Sequence, residues 1–319
     1  MKLYPLTFDP IFKDRIWGGT KLKTDLNKAL PERTIGESWE LSTVPNDISI
    51  VNNGTLKGKN INEIIDLYPN QFLGKSVVER FGKTFPLLFK FIDAQKDLSI
   101  QVHPNDALAK ERHNSFGKTE MWYVMQADEK ARIVAGFKKD SSKEEYMHSL
   151  EDKTLVSILK EIPVKKGDVF FLETGTIHAI GAGVLIAEIQ QTSDITYRVY
   201  DWDRVDDEGK SRELHTELAL DAINYKKTSS KVAHTSLKNQ FNLLVDCPYF
   251  KTNVIPLDGE VSWQKKQDAF TVLMCTEGNF ELFCEHETYT FKKGDTVLLP
   301  ASIDYSKLAG KATILEISI

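Results

Sequence analysis

Cysteine is scarce in this 319-residue chain, with Cys247, Cys275 and Cys284 the full set. An odd, unclustered count excludes a disulfide framework. Cys275 and Cys284 fall in apolar, strand-like runs and are expected as buried thiols, which fits a reducing, cytoplasmic setting. Long apolar runs are also missing. Even Phe85 to Ile92 is short and broken by Lys90, so no membrane span is expected. The first ten residues carry Pro5, Asp9 and Pro10 and no apolar core, so they are not read as a secretory signal. A basic excess is absent too. The net charge of -5 and the lack of a clustered positive field argue against nucleic acid as a partner. What remains is an ordinary balance, 41% hydrophobic and 27% charged, in a chain long enough for one large or two ordinary domains.

Short strands and turns dominate the pattern. Residues 1–58 read as irregular and extended, with Trp17-Gly18-Gly19 as a turn and Glu37 to Ser42 as a strand. Ile61, Ile64, Ile65 and Leu67 recur at helical spacing, and Pro69 interrupts them. Strands are expected within 85–102, 116–127, 168–173, 184–190 and 196–200. A helical insertion spans about 140–162, with Ser142 as its cap and Glu145 three residues on. Polar Lys226 to Lys231 reads as the start of a linker over 226–239, after which residues 240–319 are almost all strand and turn. Lys166-Gly167-Asp168 with its following apolar strand echoes Lys293-Gly294-Asp295 with its own. The first copy continues to His178 and the second to Pro300 and Tyr305 without a histidine. The expectation is two related β-rich domains, 1–225 and 240–319, the second without ligating side chains.

Three segments carry chemistry. In Ser99-Ile100-Gln101-Val102-His103-Pro104, Gln101 and His103 share one face of a strand that Pro104 ends. In Gly117-Lys118-Thr119-Glu120, Lys118 and Glu120 share a face. His178 follows a third strand in Gly175-Thr176-Ile177-His178. Two imidazoles and a carboxylate suit a divalent metal such as zinc, and Gln101 adds an amide oxygen. The plain alternative is that each is a satisfied polar residue of an ordinary barrel. Sequence spacing alone does not bring the three strands together.

The second and third of these segments, and the first with glutamine in place of a histidine, resemble the paired motifs of cupins. Taken with Ile16-Trp17-Gly18-Gly19, Gly36-Glu37-Ser38-Trp39-Glu40, Pro86 to Lys90 and Gln190-Gln191-Thr192-Ser193-Asp194-Ile195-Thr196-Tyr197-Arg198, they resemble the compact bacterial branch of the type I phosphomannose isomerase family. The likeness covers roughly residues 5–225. It implies a mainly β fold of two cupin, jelly-roll-like barrels with a small helical insertion. It implies Gln101, His103, Glu120 and His178 as ligands of one zinc ion per chain, with Arg198 as a catalytic residue and Lys118 as an active-site cation. It further implies a cytoplasmic isomerase of a small sugar phosphate, interconverting mannose 6-phosphate and fructose 6-phosphate through a cis-enediol.

Two other functions share part of this pattern. Two histidines and a carboxylate also match non-haem iron oxygenases, although Lys118 and Arg198 suit charge stabilisation better. A sugar-binding cupin without turnover is the other. Glu188 and Gln190 share a strand face and are candidates to support the site or bind substrate, with a structural ion pair an equal reading for Glu188. Trp17, Trp39 and Trp122 are read as core aromatics or a sugar-facing wall. His113, His148, His215, His234 and His286 are read as surface residues. The cations that hold a phosphate and the oligomeric state are left open by the sequence.

Overall fold

A computed structural model describes residues 2–205 and 208–319. Strands hold 43% of the chain and helices 17%, so the fold is mainly β. The sheets are of jelly-roll type and do not close into complete barrels. The chain forms two compact units. One contains Met1–Asp14, Thr20–Phe91 and Ala233–Ile319, and the other contains Arg15–Gly19 and Ile92–Val232. These packing units are drawn differently from the division at 225 and 240, because residues 20–91 pack with the C-terminal segment.

In the second unit, the strands Tyr197–Tyr200, Ile100–Val102, His178–Ile180, Arg132–Phe137 and Leu159–Pro163 lie side by side in that order. Side chains alternate across this sheet. Ile133, Ala135 and Ile180 join Trp122, Val124, Phe170, Leu172 and Ile186 in one core. Val134, Phe137, Ala179, Ile100 and Val102 point the other way, into a second core with Tyr146, Leu155 and Leu220 of the covering helices. Period-two alternation therefore places His178, flanked by outward Ile177 and Ala179, on the inner face.

The opposing sheet of this unit contains Val184–Gln191, Glu120–Ala127, Val169–Leu172 and Lys231–Val232 in sequence of pairing. Lys231 and Val232 pair with Phe170 and Val169, so part of the expected linker is a strand, its backbone bonds satisfied by the sheet edge. The helical insertion forms as Lys143–Glu151 and Leu155–Ile158, with Ser142 Oγ accepting from Glu145 N at 3.2 Å. It ends earlier than 162, because Leu159–Pro163 pairs with Arg132–Phe137. Trp17-Gly18-Gly19 is the end of the strand Ile11–Gly19 and not a turn. A Cβ on Gly19 would lie 2.6 Å from Asp93 Oδ2, so glycine is needed there for close approach.

In the first unit, Ile61–Leu67, Pro69–Phe72 and Lys75–Phe81 are three short helices, with Pro69 opening the second. The C-terminal sheet is built on a long ladder between Lys251–Gln264 and Tyr305–Ser318. Its interior is apolar, from Ile255, Trp263, Leu273, Phe280, Leu282, Val297, Leu308 and Ile314. The sequence echo is a structural one. Gly167 N donates to Val124 O and Gly294 N to Cys275 O, both at 2.8 Å. Asp168 accepts from Lys165 N and Asp295 from Lys292 N, at 3.0 and 2.8 Å. Both glycines have φ near +90°, a conformation glycine adopts without the Cβ penalty.

Candidate metal centre and active site

Strand register brings the distant segments together. Arg198 pairs with Gln101, and Gln101 pairs with His178. Directly opposed residues of an antiparallel ladder share a face, so these three side chains project to one side of the sheet. Gly175 N donates to His103 O at 3.0 Å, which docks the segment leading to His178 against the one carrying His103. In the facing sheet Glu120 opposes Gln190, and Trp122 opposes Glu188.

His103, Glu120 and His178 thus meet, with ligand atoms all within 4.8 Å of one another. Among the described residues this is the group of three or more such side chains fit to hold a metal ion. All are buried, Glu120 completely. His178 Nε2 lies 3.3 Å from Glu120 Oε1, and His103 Nε2 lies 3.7 Å from Glu120 Oε2. Ligand atoms about 2.1 Å from a tetrahedral ion stand about 3.4 Å apart, so the spacing fits.

The tautomers fit as well. His103 Nδ1 is 2.8 Å from the Ile195 carbonyl, and His178 Nδ1 is 2.8 Å from the Thr176 carbonyl. A carbonyl only accepts, so both Nδ1 atoms carry the hydrogen and, in the neutral rings, both Nε2 atoms carry the lone pair that faces the cluster. Burial pushes the His178 imidazole down to about 4, against the opposing effect of the Thr176 carbonyl, so the ring is neutral near pH 7.

Lys118, also buried, is the cation seated among these atoms. Its Nζ lies 3.1 Å from His103 Nε2 and donates to Glu120 Oε2. Gln101 presents its amide nitrogen 3.4 Å from His178 Nε2. Trp122 stands edge-on to His178, its ring 5.3 Å away, and donates from Nε1 to Glu188 Oε2 at 2.8 Å. Both are buried, so Trp122 is wall and core at once. Trp17 joins the same core, and Trp39 is buried in the other unit.

Arg198 is held at its backbone and at one end of its guanidinium. Its N–H donates to His215 Nδ1 at 3.1 Å, its carbonyl accepts from His215 N at 2.7 Å, and Nη1 donates to Glu213 O at 2.7 Å. His215 is therefore half-buried and braces the Arg198 strand, which corrects its reading as a surface residue. Local sequence gives no sign of this, because the pairing spans a loop. The Arg198 Nε is buried and meets no acceptor among the described residues. Burial, then Arg212, lowers its pKa, with Asp201 opposing and Arg15 and Arg204 adding to the lowering. Asp201 is taken by Arg204 and Arg212.

The family model for phosphomannose isomerase type I, catalytic domain, matches residues 6–154, and that for the mannose-6-phosphate isomerase cupin domain matches residues 240–319. The chain is 39% identical over 316 residues to mannose-6-phosphate isomerase ManA of Bacillus subtilis, with 98% of each chain covered. It is 37% identical over 313 residues to mannose-6-phosphate isomerase of Streptococcus mutans, covering 98% of this chain and 97% of that one. The fold superimposes on the crystal structure of the Bacillus subtilis mannose 6-phosphate isomerase with a TM-score of 0.91 at 33% identity, covering 99% and 100% of the two chains.

Proposed function

The chain belongs to the type I phosphomannose isomerase family, and on that premise we propose that it interconverts mannose 6-phosphate and fructose 6-phosphate with one zinc ion per chain. The observation that carries this is the buried pair of imidazoles, each with its Nδ1 held by a carbonyl and its Nε2 turned to Glu120.

His103, Glu120 and His178 would hold the ion. Gln101 is the fourth ligand in this reading, since rotation of its amide exchanges nitrogen for oxygen at the position facing His178. When bound, the metal supplies Lewis-acid stabilisation of negative charge on the sugar oxygens. Moving a hydrogen between C1 and C2 through a cis-enediol develops that charge on adjacent oxygens. Lys118 Nζ, held beside His103 and Glu120, is placed to donate to a sugar oxygen entering the site. Arg198 remains protonated despite its lowered pKa and contributes a donor at Nε that is already desolvated, which costs little reorganisation during reaction. Burial of the whole group strengthens each of these interactions.

We assign the catalytic work to residues 1–225 and read 240–319 as a cupin-like domain without metal ligands; within 226–239, the expected linker, Lys231–Val232 pairs with Val169–Leu172. Three free cysteines support a reducing cytoplasmic location. The partner is a small sugar phosphate, and neither nucleic acid nor a membrane is expected; no described helix is long and apolar enough to cross one. The proposal is tested by turnover of mannose 6-phosphate in Lys118→Met and Arg198→Gln. Each is expected to lower kcat on the order of 100-fold, while binding without turnover in the parent protein would favour the sugar-binding reading.

A further inference from the structure

The segment Gly117-Lys118-Thr119 carries the active-site lysine but lies outside any strand, immediately before Glu120–Ala127. Its anchoring is unusual. The last ladder pair between Val184–Gln191 and Glu120–Ala127 is Gln190 with Glu120. One residue further, Gln191 N donates to Thr119 O at 3.1 Å, as a continuing ladder requires. The return bond would use the Gln191 carbonyl, but that oxygen accepts from Ser193 N at 2.7 Å and from Gln190 Nε2 at 2.9 Å. Thr119 N donates instead to the Gln191 side-chain Oε1, at 2.9 Å.

The other end of the same amide is used too. Gln191 Nε2 donates to Asp106 Oδ1 at 2.9 Å, and that oxygen also accepts from Gly117 N at 2.8 Å. Asp106 opens the helix Asp106–His113. The fit is tight, since a Cβ on Gly117 would lie 2.7 Å from Asp106 N. The backbone on both sides of Lys118 is thus tied to one buried amide, Gln191 being 4% exposed.

We propose that Gln191 is a positioning residue for Lys118: its amide, with Asp106, clamps residues 117 and 119 so that the lysine side chain starts from a fixed point opposite His103. The inference rests on the reading of Lys118 as an active-site cation. A long lysine side chain otherwise samples many rotamers, and displacements near 1 Å at a reacting centre cost about 100-fold in rate. Gln191 itself touches neither the candidate ligand atoms nor Lys118 Nζ.

The test uses the full, metal-loaded chain and mannose 6-phosphate. In Gln191→Glu a carboxylate still accepts from Thr119 N but faces Asp106, and the clamp opens. The expected result is a fall in kcat of roughly 10- to 100-fold, with bound metal unchanged and faster amide deuterium exchange over residues 115–120. Adding Asp106→Asn removes the carboxylate–carboxylate contact, but a single amide atom cannot accept from Gly117 N and donate to the new carboxylate as well, so the double variant is expected to recover part of the rate and of the protection. Gln191→Met, which removes both bonds without adding charge, is expected to fall similarly and not to be rescued by Asp106→Asn. It also serves if Gln191→Glu does not fold. A kcat for Gln191→Met within about twofold of the parent overturns the proposal, as does a loss in Gln191→Glu that the second substitution leaves unchanged. If the parent protein does not turn over mannose 6-phosphate, the functional reading fails by itself, and unchanged exchange at residues 115–120 in the Gln191 variants then overturns the clamp.

Discussion

The Nδ1 atom of His178 lies 2.8 Å from the carbonyl oxygen of Thr176, two residues earlier in the chain. That contact sets the tautomer before any ion arrives and leaves Nε2 as the only lone pair of the ring. His178→Asn removes the lone pair at that point. It is expected to weaken metal affinity by more than the roughly 10–100-fold that loss of an outer partner costs. Metal content per chain after dialysis at limiting zinc checks this, and full occupancy in the variant contradicts it.

Trp122 and Glu188 make a buried donor–carboxylate pair next to His178. Trp122→Phe keeps most of the ring volume but takes a donor away from a carboxylate 3% exposed. Losing a donor to a buried charged group costs about 1–3 kcal/mol. Urea unfolding should show an unchanged slope and a midpoint lowered by that energy divided by the slope.

Asp201, 5% exposed, accepts from Arg212 Nε at 2.7 Å and from Arg204 Nη2 at 2.5 Å. Burial raises its pKa, but the two arginines outweigh burial and hold it below the ordinary value of 3.8. The folded value lies below the unfolded one, so the stabilisation is complete above about 4 and is lost as pH falls through the folded pKa. Asp201→Asn is therefore expected to be less stable than the parent near pH 7, with the gap closing below pH 3.8. Denaturant midpoints across that range check the sign. A gap that widens on acidification is the contrary result.

The Gly-Asp turns, the strand alternation at Gln101 and His103, and the three chemistry-bearing segments were legible because each depends on residues within a few positions of one another. Other features depend on partners far along the chain. Trp17-Gly18-Gly19 has turn composition, but it closes the strand Ile11–Gly19, and the Trp17 carbonyl accepts from the distant Gln95 N at 3.0 Å. Lys231-Val232 is polar and short, yet Val169 and Phe170 give it a ladder. Leu159–Pro163 completes the helical insertion in sequence but belongs to a sheet in space. His215 looked like one of several scattered histidines until pairing placed it on both backbone bonds of Arg198. Gln191 stood out only as part of the Gln190 to Arg198 segment, since its own role arises from a carbonyl already taken by Ser193 and Gln190.

The most direct test of the account is turnover of mannose 6-phosphate to fructose 6-phosphate before chelation, after chelation and after return of zinc. The structure places two imidazoles and a carboxylate where they would hold a metal ion, so activity is predicted to vanish with the metal and to come back with it. Undiminished turnover in metal-free, folded protein would contradict the account.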